Sequence, residues 1–158
     1  MAKASRPASE SRVEMTQIVL PQFANAHGSV FGGQVVSWID ICAAVAAQRH
    51  CRGAVVTASI DAVHFLEAIH QGDVVILRGQ VNAAFRTSVE CGVRVESESA
   101  RTGERRHAVS AYCTFVAVDD ESRPREIAPL KLETEEEQRR FEKATERRRQ
   151  RLENRSRP

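Results

Sequence analysis

The chain has 158 residues, 42% of them hydrophobic and only 5% aromatic, with a formal net charge of +2. That size and apolar content predict one domain with a core of Val, Ile, Leu and Ala. The small charge gives no argument for nucleic acid. The longest apolar run is broken by Ser37 and Asp40 and is too short to cross a bilayer, so a soluble protein with no membrane span is expected.

Residues 1–12 are polar, contain Ser and Pro, and lack the apolar centre of a signal peptide; a disordered tail is expected there. Val13 to Leu20 reads as a strand ended by Pro21, and Gln22 to Phe31 as a Gly-bearing loop. From Gly32 and Gly33 the chain stays apolar as far as Ala47, which predicts a helix from about Gly33 to His50 buried on all sides. Four strand-like segments follow: Ala54–Leu66, Asp73–Ala83, Ser88–Glu98 and Arg106–Val118. In the third, Val89, Cys91, Val93 and Val95 alternate with Ser88, Glu90, Arg94 and Glu96. Short connections such as Gln71-Gly72-Asp73 and Ser99–Glu104 favour antiparallel pairing. One strand, one long helix and a four-strand run predict an α+β fold, a curved antiparallel sheet wrapped around the helix.

The character changes near Leu132. Lys131–Pro158 holds ten Lys or Arg against seven Glu. Thr134 and Glu137 read as a capping box, with Glu135–Arg139 and Glu136–Arg140 spaced for ion pairs. A charged helix is expected to about Leu152, outside the core and peripheral to the chemistry, with Phe141, Ala144 and Leu152 as its apolar contacts. The expected organisation is thus a tail (1–12), a domain (13–130) and a charged helix with a tail (131–158). Cys42, Cys51, Cys91 and Cys113 form no C-x-x-C pair and read as small core residues in a reducing cytoplasm. Neither they nor the five histidines show the spacing of metal ligands.

Two features of the central helix carry chemistry. A carboxylate at Asp40 is costly in an apolar helix unless something pairs with it. Glycines at the helix start leave backbone N–H groups bare, an arrangement that stabilises a developing oxyanion. A hydrolytic site fits both. A structural ion pair at Asp40 and close packing or a tight turn at Gly32 and Gly33 fit them too.

The run N-x-x-G-x-V-F-G-G from Asn25, closed by Asp40, resembles that of the hotdog-fold acyl-CoA thioesterases of the acyl-CoA hydrolase subfamily. Val56–Phe65, Gly72-Asp73, Arg86–Ser88 and Thr134–Phe141 agree in order and spacing, so that the resemblance covers about Val13 to Leu152. It implies hydrolysis of fatty acyl-CoA to free acid and CoA, and a homo-oligomer built as a dimer or a trimer of dimers. The family's catalytic residues fall on Asn25 and Asp40, meeting across a dimer interface, and its paired glycines on Gly32 and Gly33. Water activated by Asp40 and held by Asn25 suits this chemistry, which needs no cofactor because coenzyme A belongs to the substrate. His27 is a rival base or a hydrogen-bonding partner in the loop. Arg86, with Thr87 and Ser88, is the first candidate for the phosphates and pantetheine of CoA. Ser37 and Ser59 lack a histidine partner for a nucleophilic role. The alternatives are a hotdog dehydratase, which uses a histidine where Asn25 stands, a non-catalytic acyl-CoA sensor, and an RNA-binding protein using Arg147–Arg149.

Overall fold

The computed structural model describes residues 2–157. Its elements in chain order are β1 (Arg6–Pro7), β2 (Val13–Ile18), α1 (Gly32–Cys51), β3 (Val55–Ile60), β4 (His64–Phe65), β5 (Val74–Ala84), β6 (Ser88–Glu98), β7 (Arg105–Ala117), β8 (Leu130–Lys131) and α2 (Glu135–Arg155). The main sheet is antiparallel in the order β2-β5-β6-β7-β3, with β4 also on β7; β1 and β8 form a small parallel pair.

Alternation decides which face of the sheet is inner. Val75, Leu77 and Val81 of β5, Val89, Cys91, Val93 and Val95 of β6, and Val109, Cys113 and Phe115 of β7 are all buried. They form one core with Val35, Ile39, Cys42, Ala43, Ala46 and Ala47 of α1. The small residues on α1 let the sheet come close. At Gly79 an added Cβ would lie 2.9 Å from Cys42 Sγ, so glycine is required for this approach. All four cysteines are buried free thiols. Burial pushes Cys42 up to about 11 and Cys113 up to about 12. Among the described residues no helix is long and apolar enough to cross a membrane.

Four expectations need correction. Buried on all sides does not describe α1: Gly33, Ser37 and Ile41, spaced four apart, form a stripe left open by the single chain. The segment 54–66 is two strands, because the β3 ladder shifts register between Thr57 and Ser59 and lapses after Ile60.

The tail expected to be disordered is ordered from β1 onward, because it supplies partners the core lacks. Arg6 donates to the His50 carbonyl at the C-terminus of α1, where Arg125 Nη2 meets the Cys51 carbonyl at 2.9 Å. Ser11 Oγ, itself buried, accepts the Val81 N–H at 2.9 Å.

The fourth correction concerns α2. Thr134 caps Glu137 N–H at 3.1 Å as the sequence predicts, but the Glu137 carboxylate turns back to Glu133 N–H at 2.7 Å. Glu136 takes both Arg139 and Arg140, and Glu135 takes neither. Ala144 is buried, whereas Leu152 is exposed. The helix is held on the outer face of the sheet largely by arginine. Arg147 Nη2 lies 2.6 Å from Oε1 of Glu90, a residue with no exposure at all, and its guanidinium stacks 3.6 Å above the Tyr112 ring.

The Gly79–Cys42 approach predicts a coupled pair. Gly79→Ala should cost about 1–3 kcal/mol by overpacking. Cys42→Ala should remove the clash, so that the double variant is more stable than the sum of the singles by about 1 kcal/mol. Urea unfolding of the four proteins at one protein concentration measures this; additive losses would show that the contact does not limit the helix–sheet distance.

Candidate active site

Asn25 organises the loop before α1. Its Oδ1 accepts the N–H groups of His27 (2.9 Å) and Ser29 (3.2 Å), its Nδ2 donates to Ser29 Oγ (3.0 Å), and its own N–H reaches the Ser29 carbonyl (2.8 Å). This is an Asx-type turn closed by Gly28 at φ 78°. The loop is fixed to the segment before β5 by Val30 N–H to the Ile69 carbonyl (2.7 Å) and Gln71 N–H to the Gly28 carbonyl (2.8 Å). His27 lies exposed on it, and no hydrogen bond of its ring is found among the described residues.

Directly after the loop α1 begins at Gly32. The N–H groups of Gly32 and Gly33 meet no acceptor among the described residues, the first helical bonds being those of Gln34 and Val35 to the Phe31 carbonyl. An added Cβ would make ordinary contact with the Phe65 ring at Gly32 (3.5 Å) and lie 4.0 Å from Phe31 at Gly33. Close packing within the chain therefore does not demand glycine at either position. What the glycines leave is open access to two donors at the positive end of a 20-residue helix.

Two turns on, Asp40 is half-buried and has no cation within ion-pair distance among the described residues. Its one partner is Thr57 on β3, whose hydroxyl donates to Oδ1 at 2.9 Å. Asp40 thus forms no structural ion pair among the described residues. Thr57 sits within the Val56–Phe65 motif but was not singled out from sequence. A threonine in a strand carries no mark of its own, and its meeting with Asp40 depends on the helix-to-strand register.

Helical rise separates these parts. Gly33 and Asp40 are seven residues apart, about 10 Å along the axis, too far for one carbonyl group to meet both. Asn25 and Asp40 share no hydrogen bond among the described residues: the Asn25 side chain bonds within its own loop, and Asp40 to Thr57.

The turn Arg86–Ser88 stands at the far end of β5 from the Asn25 loop, about 33 Å for an 11-residue strand. It is close to β3 instead, since Ser88 and Val56 both pair with Val116. Arg86 is exposed and lies 3.7 Å from Glu126. The backbone carbonyl of Thr87 accepts the Ala117 N–H at 2.9 Å, and Ser88 opens β6. The structure brings Thr57 to Asp40, places Arg86–Ser88 on their side of the sheet, and leaves Asn25, His27 and the glycines elsewhere in the same chain.

A cleft of about 770 Å³ lies on the other face of the sheet, under α2. Its cations are mostly matched within the chain: Arg78 by Glu14 and Glu96, Arg140 by Glu136, Arg147 by Glu90. The Arg147–Arg149 run is engaged as well. Arg148 covers the Phe85 ring at 4.4 Å, and Arg149 pairs with Glu146 at 2.6 Å.

Exposed apolar side chains lie at the open stripe of α1. Phe31 at its start and Ile41 within it are each about half exposed, and the half-exposed Phe65 ring lies against Gly32.

Residues 27–104 match the Thioesterase superfamily. The chain is 43% identical to the uncharacterized acyl-CoA thioester hydrolase YkhA of Bacillus subtilis, over 81% of this chain and 74% of that protein. It is 38% identical over 92% of its length to mouse Acyl-coenzyme A thioesterase 11, of which it spans only about 25%. The crystal structure of an apo-hexameric acyl-CoA thioesterase superposes with a TM-score of 0.93 at 40% identity, covering 98% of this chain and 99% of that one. An acyl-CoA hydrolase from Staphylococcus aureus, solved with butyryl coenzyme A, coenzyme A and coenzyme A disulfide, gives 0.89 at 33% identity over 96% and 92%. Variants of that enzyme with an asparagine, an aspartate or a threonine replaced by alanine have also been solved (TM-scores 0.90, 0.89 and 0.88). The curved sheet around α1 is the hotdog fold, and this chain belongs to the thioesterase superfamily.

Proposed function

We propose that this protein hydrolyses acyl-CoA thioesters to a carboxylic acid and free CoA, acting in the cytoplasm, where its four thiols stay reduced. The observation that carries the reading is an unpaired carboxylate, Asp40, held through one oxygen by Thr57 at 2.9 Å. The three positions altered in the S. aureus enzyme stand 15 and 17 residues apart, the spacing of Asn25, Asp40 and Thr57.

The chemistry follows from the groups. Asp40 takes a proton from water as it adds to the thioester carbonyl. The N–H groups of Gly32 and Gly33 meet the oxygen as it gains charge, each donor being worth about 3 kcal/mol in the transition state. Collapse expels the CoA thiolate, which takes up the proton. Substrate and water balance the reaction. Thr57 fixes the carboxylate rotamer, and Asn25 holds the water.

Since helical rise keeps Asp40 away from the donors of its own chain, the complete site takes Asn25, Gly32 and Gly33 from one protomer and Asp40 with Thr57 from another. The open stripe on α1 and the apolar side chains beside it supply the contact surface for a second copy. In this arrangement His27 borders the water, and Arg86–Ser88, on the Thr57 side, receives the phosphates and pantetheine. The exposed Arg86–Glu126 pair resists displacement little.

Asp40→Asn and Asn25→Ala should each lower kcat at least about a hundredfold with the fold intact. Mixing the two inactive proteins, with subunit exchange verified, should restore about a quarter of wild-type activity. Half of random dimers are hybrid, and each has one intact site. No recovery would show that both residues serve from one chain.

Thr57 allows a milder test. Thr57→Val keeps the shape and removes one charge-assisted hydrogen bond, so kcat should fall about tenfold or more. Thr57→Ser should retain most of the activity, measured by thiol release from palmitoyl-CoA.

A further inference from the structure

Residues four apart on an unbroken strand share a face, yet Thr57 and Asp61 do not. The pairing of β3 with β7 jumps from Thr57↔Phe115 to Ser59↔Thr114, so Ala58 is an extra residue that turns every later side chain over. Thr57 therefore reaches Asp40 on the inner face. Asp61, whose N–H bonds the Tyr112 carbonyl at 3.0 Å, faces α2 on the outer one. There Arg151 Nη1 lies 2.9 Å from Asp61 Oδ2 and 3.3 Å from Oε2 of the buried Glu90. Glu90 in turn is gripped by Arg147 through both oxygens, at 2.6 and 3.2 Å.

The two contacts depend on one another through the bulge. Without the extra residue, holding Asp61 on Arg151 would turn Thr57 away from Asp40. Holding Thr57 on Asp40 would drive the Asp61 carboxylate toward the apolar core, at the cost of an unpaired buried charge. Val56, Thr57 and Ala58 are all exposed, so burial within the bulge itself is small, while Val55 and Ile60 on either side of it pack against the core. The polar contacts of Thr57 and Asp61 act with that packing to hold the register.

We propose that Asp61 and Arg151 are positioning residues for hydrolysis, through which α2 fixes the bulge in β3 and so the hydroxyl that holds Asp40. This inference rests on the reading of Asp40 and Thr57 given above. It gives α2, outwardly a peripheral charged helix, a part in catalysis from the opposite face of the sheet.

A double-mutant cycle on the full-length protein tests it, with kcat and KM for palmitoyl-CoA measured on wild type, Arg151→Met, Thr57→Val and the pair. Arg151→Met should lower kcat about tenfold while KM stays within about twofold, as for a small misplacement of a catalytic group. In the Thr57→Val background Arg151→Met should lower kcat no further, and Arg151→Lys should recover most of the loss. A folded Arg151→Met with wild-type kcat, or equal losses in both backgrounds, would overturn the proposal. If Arg151→Met does not fold, Asp61→Asn replaces it in the same cycle with the same outcomes. Wild-type kcat in Thr57→Val would overturn the reading of the site, and this inference with it.

Discussion

The sheet must close on α1, and the distance at which it does so is set where β5 passes Cys42. Gly79 has no side chain there, and a Cβ would come within 2.9 Å of the sulfur. Val35, Ile39, Cys42, Ala43, Ala46 and Ala47 then fill the concave face, all but free of solvent. Once they are seated, the 3.6-residue period leaves Asp40 no freedom. It follows Ile39 by about 100° around the helix and comes out beside β3, where Thr57 is waiting. The meeting of Asp40 with Thr57 is thus a by-product of core packing. The helix carrying Asp40 is seated on the sheet by one face, and that packing places the carboxylate with no cation in ion-pair distance among the described residues.

On the other face of the sheet the adhesive is charge. Glu90 is wholly buried and surrounded by Arg147, Arg151 and Asn82. Removing such a carboxylate from water costs several kcal/mol, and apolar replacements of equal volume often stabilise as well or better. A buried ion cluster is therefore better explained by what it specifies than by what it stabilises. Leucines would have stuck α2 to the sheet in several neighbouring registers. Two arginines one turn apart, meeting one carboxylate and reaching on to Asp61, fit in one.

Much of the fold was legible from residue patterns alone. Alternation in β6, the apolar run of α1 and the Thr134 cap are local signals, and each element falls within a few residues of its expected place. Asp40 and the two glycines stood out from the chemistry of the helix itself, and the family resemblance added Asn25. What the sequence hid was relational. A bulge is one residue of slip between two strands, and no property of Ala58 announces it. Thr57 matters because of how the preceding helix is seated against its strand, and Asp61 because of a helix far from it in sequence. The tail read as disordered since polarity was its main visible trait, while its use, to cap the end of α1 through Arg6 and to satisfy Val81 through Ser11, depends on what the rest of the fold leaves unpaired. The open stripe of Gly33, Ser37 and Ile41 was invisible for the opposite reason. Small and apolar residues look alike in a core and in an interface.

That stripe bears on the division of labour between chains. A helix that offers oxyanion donors at its N-terminus and an acid two turns later presents the two about 10 Å apart. A bend in α1 tight enough to close this gap would break the helix that the core depends on. Two copies laid side by side in opposite senses remove the conflict, because the N-terminus of one helix then lies against the middle of the other, and the arrangement yields two equal sites by symmetry. The open face of α1 is made for such an approach, with Gly33 and Ser37 small enough to let backbones come close and Ile41 available to be covered. On the proposed reading of the site, assembly and catalysis are one requirement, and a protomer alone holds two halves of different sites.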